Sequence, residues 1–345
     1  MILQPHIVAW EMTRRCPLAC RHCRAGAGRG KSHAELSSSE GLRLIGGLGA
    51  LRIRLLILTG GEPMLREDLY EMARAAADHG IRVVVATCGA LVTEATAARL
   101  KASGVSAVSI SLDAANADDH DAFRGVTGSY ETALSGLRCA RSAGLGIQMN
   151  TTVTRMNCNH LPAILELAES AGAATLDCFF LVPTGRGRAL HEYLLDAEQV
   201  ERTLNWIADM DASRAIRVKS TCAPQMARIR IQRAAGGAPQ RPGLPDGGCM
   251  AGRGFLFVSH VGDVQPCGFL NVACGNVRDV DFDMPALIAA SGELSRLGAM
   301  KGIGGACGRC AYLRVCGGCR ARALEMDGDA YSAEPFCVMG AGPCE

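Results

Sequence analysis

Ile7-Val8-Ala9-Trp10-Glu11-Met12, followed after Thr13-Arg14-Arg15 by Cys16-Pro17-Leu18-Ala19-Cys20-Arg21-His22-Cys23, is the stretch on which the reading of this chain turns. The first run is short, apolar and strand-like. The second is a CxxxCxxC loop directly after it. Three thiolates on so short a loop can converge on one face of a metal centre. If that centre holds four metals, one has no protein ligand, and an open position is where a substrate coordinates, as at catalytic zinc sites. Spacing alone leaves a zinc site completed by His22 or a distant residue as the competing reading. The loop's place at the carboxyl end of a strand, where α/β barrels carry their chemistry, weighs against zinc.

Working outward, apolar strands alternate with helical segments. Strand-like runs fall at Ile53–Leu58, Ile81–Ala86, Val105–Leu112, 146–153 and Thr175–Val182. Helix-like runs fall at Ser38–Leu48, 67–79, 92–102, Tyr130–Ala143 and His160–Ala171, with Gly80 and Gly104 as stops. Six strands, each followed by a helical segment, imply a parallel sheet covered by helices. Right-handed crossovers curl such a series into a barrel or partial barrel. The expected fold class is therefore α/β, a partial (β/α)6 TIM-type barrel. The alternation weakens after a helical run at 196–211. Ala234–Gly248 is rich in Gly and Pro and reads as a linker or exposed loop. We expect a barrel unit over residues 1–215 and a cysteine-rich unit over 216–345.

The chain has 345 residues, 48% of them hydrophobic, and a formal charge of only +2, too small a basic footprint for a nucleic-acid binder. No apolar run approaches the roughly 20 residues that span a bilayer, and the N-terminus lacks a signal-peptide layout. A cytoplasmic location with no membrane partner is expected. Seventeen cysteines are many for such a chain. Its length, the odd count and the missing signal peptide favour metal or redox chemistry over a disulfide framework. Cys88, Cys139, Cys158 and Cys178 stand alone in apolar surroundings and read as small core residues. Cys344 reads as a free thiol near the tail.

A second cysteine field lies towards the C-terminus. Twelve residues separate Cys249 from Gly262-Asp263-Val264-Gln265-Pro266-Cys267. Cys307-x-x-Cys310, Cys316-Gly317-Gly318-Cys319 and Cys337 follow. Glycines between ligands let backbone wrap closely around a metal centre. A zinc ribbon is the competing structural reading.

The CxxxCxxC loop after strand one, Gly60-Gly61-Glu62-Pro63 after strand two and Ser109-Ile110-Ser111-Leu112-Asp113 on strand four together resemble the radical S-adenosylmethionine (SAM) superfamily, over roughly residues 5–190. That resemblance implies that Cys16, Cys20 and Cys23 hold a [4Fe–4S] cluster whose unique iron is chelated by SAM. It implies Gly60, Gly61 and Glu62 near the SAM amine, and Ser111 and Asp113 near the ribose. His22 would pack by the adenine, with Val182 and Pro183 offering it backbone. Thr87-Cys88-Gly89 stands where the family usually has Thr-Asn-Gly.

The C-terminal series resembles the SPASM domain, which binds auxiliary [4Fe–4S] clusters. The resemblance implies one cluster on Cys307, Cys310, Cys316 and Cys337 and another on Cys249, Cys267 and Cys319. That second set is one ligand short. Cys222 and Cys274 are the candidates, and without either an iron would stand open to substrate. The family's usual last spacing is CxxxC; here Cys316 and Cys319 are two residues apart.

Trp10-Glu11 before the loop, His22-Cys23-Arg24 within it, and Phe257–Leu270, Cys316–Ala323 and Ala333–Cys337 further on resemble the haem b synthases of the sirohaem-dependent pathway. That implies oxidative decarboxylation of two propionates of iron-coproporphyrin III to vinyls, with a ferredoxin or flavodoxin as electron donor. Arg253, Arg320 or Arg322 would pair with propionates, and His260 is a candidate iron ligand, though a lone histidine beside a turn is more often structural. The alternatives are a sister enzyme acting on didecarboxysirohaem or a haem d1 precursor, a SPASM-type peptide maturase, and a non-enzymatic iron–sulfur or zinc protein. The first strand begins by Ile7, which leaves no room before it for a peptide-recognition domain.

Overall fold

The structure, a computed structural model, describes residues 4–30, 32, 34–237 and 248–340. Cys344 and the middle of the expected 234–248 linker lie outside the described residues. In chain order the elements are β1 (Ile7–Glu11), α1 (Ser38–Ala50), β2 (Leu55–Thr59), α2 (Leu69–Asp78), β3 (Arg82–Thr87), α3 (Glu94–Ala102), β4 (Val105–Ser111), α4 (Ala117–Arg124), α5 (Ser129–Ser142), β5 (Gly146–Val153), α6 (Leu161–Ser170) and β6 (Thr175–Phe180). Then come α7 (Ala197–Ser213), β7 (Arg217–Thr221), α8 (Gln225–Ala235), β8 (Phe255–Val258), β9 (Val264–Gln265), α9 (Met284–Ala290), α10 (Gly292–Gly298), α11 (Gly305–Arg309) and α12 (Arg320–Asp327).

The strands form one sheet in the order β7-β6-β5-β4-β3-β2-β1-β8-β9. Every neighbouring pair is parallel except β8 with β9. The six-strand α/β series expected from sequence is thus present, open and in chain order. It is longer at both edges than expected. β7, with only Val218 apolar among Arg217-Val218-Lys219-Ser220-Thr221, gives no hydrophobic run to read, yet it pairs with β6. β8 pairs with β1. One sheet therefore draws on residues from both sides of position 215. α4 also escaped the reading, because Ala-Asp-Asp-His-Asp-Ala-Phe-Arg has no apolar period; its buried face is His120, Phe123 and Arg124. β6 stops at Phe180, two residues before the expected Val182. Ala234, expected to open the linker, is still helical.

Alternate strand residues point to opposite faces. Val8, Trp10, Leu56, Leu58, Val83, Val85, Val108, Ile110, Met149, Leu176, Val218, Leu256 and Val258 belong to the main core. The intervening positions, among them Glu11, Thr59, Ser109, Ser111, Gln148, Asn150, Asp177, Lys219 and Phe257, lie on the other, inner face. That face is polar along β5–β7: Gln148 donates to Asn150 (2.8 Å), Thr221 donates to Asp177 (2.9 Å) and Lys219 pairs with Asp177 (2.9 Å). Among the described residues no helix is long and apolar enough to cross a membrane.

α1 docks closely on the start of α9. A Cβ at Gly47 would stand 2.4 Å from the Phe282 carbonyl oxygen and 3.0 Å from Met284 Cγ, whereas one at Gly46 meets nothing within 4 Å. Alanine in a helix interior gains roughly 0.5–1 kcal/mol over glycine. Gly46→Ala should therefore stabilise by about that amount. Gly47→Ala must push back a main-chain carbonyl and should destabilise by about 1–3 kcal/mol. Urea unfolding of the two variants checks the opposite signs; a rise in both would refute this docking.

Candidate functional site

The chain leaves β1 at Glu11 and enters the cysteine loop at the carboxyl end of the sheet. Cys16 and Cys20 are buried and Cys23 is half-buried; with Leu18, Ala27, Cys88 and Val126 they form one small apolar cluster. Burial pushes the Cys16 thiol up to about 12, and the nearby Glu62, Cys20 and Cys23 add to it. Burial likewise raises Cys20, opposed by Arg124. Thiolates form here when a metal centre replaces the protons.

Main-chain contacts hold the loop. Cys16 N–H donates to Gly28 O (2.8 Å), Ala19 N–H to Arg124 O (3.2 Å) and Arg21 N–H to Phe123 O (3.0 Å). From beyond β6, Arg186 donates to Cys20 O (2.9 Å) and Ala27 O (2.6 Å). Gly185 stands at φ +58, where a Cβ would lie 2.2 Å from Arg24 O. Sequence reasoning missed Arg124, Gly185 and Arg186. The Gly185-Arg186-Gly187-Arg188 run was the only visible signal.

Gly60 and Gly61 have a steric reason to be glycine. A Cβ would lie 2.4 Å from Thr13 O at Gly60 and 2.3 Å from Arg15 O at Gly61. Gly61 N–H donates to Thr13 O (2.6 Å) and Glu62 N–H to Arg15 O (2.7 Å). The turn after β2 is thus laid along the segment that leads into Cys16. Glu62 is fully buried, and its carboxylate accepts from Met64 N–H (3.0 Å), Thr87 Oγ1 (2.8 Å) and Cys88 N–H (2.8 Å). Burial raises its pKa despite those bonds. Cys88 is therefore no isolated core residue: it packs against the cluster that holds Cys16 and Cys20, and its N–H anchors Glu62.

Ser111, half-buried at the end of β4, makes no side-chain hydrogen bond among the described residues. Asp113 is fully engaged. It accepts from Arg124 Nε (2.6 Å) and Thr152 N–H (2.7 Å), and Arg124 Nη1 lies 3.8 Å from Cys20 Sγ. Asp113 thus reaches the cysteine loop through Arg124. His22 stacks on Phe123 (4.4 Å between ring centroids, 16° between planes), and its Nδ1 is buried without a partner, as is Arg186 Nη2. Burial lowers the His22 pKa to about 3. The Val182 carbonyl accepts from Thr184 N–H (2.8 Å), and the Val182 side chain packs into the second cysteine field. Pro183, next to it, is buried.

That field divides into two sets. Cys307, Cys310, Cys316 and Cys337 line one cavity together with Gly317, Gly318 and Glu334. Cys319 packs in one apolar cluster with Cys222, Cys249 and Cys267. Burial pushes the Cys222 thiol far up, with Cys319 and Cys267 next in effect, and Cys249 acts on both Cys267 and Cys319. Cys274 sits in the main core instead, bonded to Val272 O. Gly317 (φ +77) and Gly318 (φ +61) carry the short Cys316–Cys319 link through left-handed backbone, so neighbouring cysteines serve different sets. Cys222 itself is left-handed (φ +61), a conformation costing a non-glycine residue about 1 kcal/mol or more.

Arg322 and Glu334 lie between the sets. Arg322 donates to Glu334 Oε1 (3.0 Å) and Cys222 O (2.7 Å). Glu334 Oε2 accepts from Cys319 N–H (2.7 Å), and Glu334 N–H donates to Cys307 Sγ (3.3 Å). Arg320 donates to Ala330 O and Ser332 O and approaches Cys307 Sγ (3.9 Å). Both arginines are 2% exposed, so neither is free to meet a propionate; that expectation is corrected. Arg253 is exposed.

Three cysteine-lined sites in apolar walls, two with four thiols and one with three, suit iron–sulfur clusters, which take thiolate ligands. Among the described residues no three His, Cys, Asp or Glu side chains gather closely enough for a single ion. A four-iron cluster spreads its thiolates further than one zinc does. The unpartnered His22 Nδ1 and Arg186 Nη2 leave polar capacity beside the first site for a bound polar molecule.

A link between the halves completes the geometry. The buried Glu11 carboxylate accepts from Arg24 Nη2 (2.8 Å) and Arg14 Nε (3.3 Å) and meets His260 Nδ1 at 3.0 Å. Arg24 also donates to Gly268 O (3.1 Å), beside Cys267, and lies over the Phe257 ring (4.5 Å).

Residues 10–168 match the Radical SAM superfamily model. An AdoMet-dependent heme synthase of Nitratidesulfovibrio vulgaris (strain Hildenborough) is 43% identical over 96% of this chain and 91% of its own length. An Fe-coproporphyrin III synthase of Methanosarcina barkeri is 30% identical over 96% of this chain and 88% of its own. The crystal structure of Streptococcus suis SuiB bound to S-adenosylmethionine shares the fold: TM-score 0.76, 15% identity, 97% of this chain and 77% of that one. With a cysteine triad at the mouth of a parallel sheet and full-length relatives at this identity, the chain belongs to the radical SAM superfamily and is an enzyme of that superfamily.

Proposed function

We propose that this enzyme makes haem b, converting two propionates of iron-coproporphyrin III to vinyl groups. Glu11 and Arg24 carry the reading. In the sequence they belong to the stretches that resemble the haem b synthases, and in the fold they form one ion pair at the mouth of the inner face. The higher identity to a heme synthase than to an Fe-coproporphyrin III synthase supports the same branch.

SAM bound at a [4Fe–4S] cluster supplies a 5′-deoxyadenosyl radical that abstracts hydrogen. Loss of a hydrogen atom from the propionate β-carbon, of carbon dioxide and of one electron leaves each vinyl. Cys16, Cys20 and Cys23 would hold that cluster, with the Gly60–Glu62 turn fixing the approach to them. His22, Ser111, Val182 and Pro183 border the SAM region, and Asp113 holds Arg124 against Cys20. Cys307, Cys310, Cys316 and Cys337 would hold one auxiliary cluster, and Cys222, Cys249, Cys267 and Cys319 the other. Two complete sets joined through Glu334 and Arg322 suit a path for the departing electron. A ferredoxin or flavodoxin is the donor this reading requires. None of the described cysteines is paired in a disulfide, which suits a reducing compartment and a cytoplasmic location.

Reduced, anaerobically reconstituted protein given SAM and iron-coproporphyrin III should yield 5′-deoxyadenosine and a porphyrin lighter by two formic-acid equivalents. Deoxyadenosine with an unchanged porphyrin mass would overturn this substrate. Iron analysis separates the two candidate fourth ligands: full reconstitution should give about twelve irons per chain. Cys222→Ala should lose up to about four of them and Cys274→Ala none. Equal iron in both variants would remove Cys222 from the set.

A further inference from the structure

Among the described residues two histidines are buried, and their tautomers are opposite. In His120 the main-chain N–H of Asp113 donates to Nδ1 (3.1 Å). That places the ring proton on Nε2, so the neutral ring has no free lone pair. In His260 the partner of Nδ1 is Glu11 Oε2, at 3.0 Å. Two guanidinium groups hold the Glu11 carboxylate in its ionised form, Arg24 at 2.8 Å and Arg14 at 3.3 Å. An ionised carboxylate only accepts, so His260 Nδ1 carries the hydrogen. The lone pair of the neutral ring then lies on Nε2. That nitrogen makes no hydrogen bond and is not sealed from solvent.

The ring is held in place. Leu36 N–H donates to His260 O (2.8 Å), and the turn after β8 closes with Ser259 Oγ accepting from Asp263 N–H (3.0 Å). Gly262 (φ +90) packs where a Cβ would meet Val277 at 2.9 Å. β8 ends level with β1, Val258 beside Trp10, so His260 stands at the same end of the sheet as the Cys16–Cys23 loop. A carboxylate on one imidazole nitrogen and an open lone pair on the other is the arrangement of a metal-ligating histidine with its orienting acid.

We propose that His260, oriented by Glu11, is an axial ligand to the iron of the porphyrin substrate. This rests on the function proposed above and adds how the macrocycle is gripped: by its iron, on the Glu11–Arg24 side of the inner face. Iron is what distinguishes this substrate from the metal-free porphyrin, so the contact also gives the site a means to select the metallated form.

The test uses the reconstituted protein, without SAM, titrated with ferric iron-coproporphyrin III and with metal-free coproporphyrin III. Absorption and EPR of the ferric complex and resonance Raman of its dithionite-reduced form report the axial ligand. Wild type should show imidazole ligation. His260→Ala should lose it, weaken iron-coproporphyrin binding by about tenfold or more, leave metal-free coproporphyrin binding unchanged and regain the imidazole signature on adding free imidazole. Glu11→Gln should keep the ligand but lower the iron–imidazole stretching frequency, because the ring loses its anionic partner. Unchanged spectra in His260→Ala, or equal weakening for both porphyrins, would overturn the proposal while leaving substrate turnover by wild type to stand. If wild type neither binds nor converts iron-coproporphyrin III, the proposed function falls with it.

Discussion

The Glu11 carboxylate, fully buried at the carboxyl end of β1, is the interaction around which the two halves of the chain are arranged. A lone buried carboxylate costs several kcal/mol, and removing one partner of such a pair typically costs about 3–5 kcal/mol. Here the charge is answered from three directions: Arg14 on the approach to the first cysteine loop, Arg24 at its end, and His260 after β8. Arg24 then reaches Gly268 O beside Cys267. One charge thereby fixes the first cysteine loop, the turn that closes β8, and the near edge of the second cysteine field relative to one another. A rearrangement of any of them leaves a buried ion short of a partner.

Around the first loop the same economy of space is enforced by close backbone approach. Gly60 and Gly61 lie so near Thr13 and Arg15 that no side chain fits, and Gly185 lies equally near Arg24. The loop is clamped from β2 on one side and from beyond β6 on the other. Beneath it, Asp113 and Arg124 place a buried ion pair against Cys20. The positive member faces the sulfur, which offsets part of the desolvation that burial imposes on a thiolate. The polar residues of strands two and four thus support the loop from below and hold the surfaces around it rigid.

In the second field, backbone handedness decides which cysteines lie together. Two left-handed glycines between Cys316 and Cys319 reverse the chain within a single turn, so the last CxxC is shared between two sites. Cys222, left-handed just past β7, packs beside Cys249, Cys267 and Cys319. Arg322 and Glu334 fill the gap between the sites, and each offsets part of the desolvation that burial imposes on the other. This is why the two arginines that the sequence offered as substrate partners are structural instead.

The α/β class, six of the nine strands, the cysteine triad and a second field of spaced cysteines were legible in the sequence. Apolar period and cysteine spacing are local properties, carried by neighbouring residues. Most helix and strand ends lay within about two residues for the same reason. β7 and α4 were invisible because each is stabilised by what it packs against and not by its own pattern. Grouping Cys222 and not Cys274 with the other three cysteines, pairing Glu11 with Arg24 and His260, and withdrawing Arg320 and Arg322 into the interior all depend on residues from 10 to 249 positions apart meeting in space. Only the folded chain decides such meetings, because burial and charge neutralisation act through distance in three dimensions, whereas sequence spacing constrains distance only along the chain.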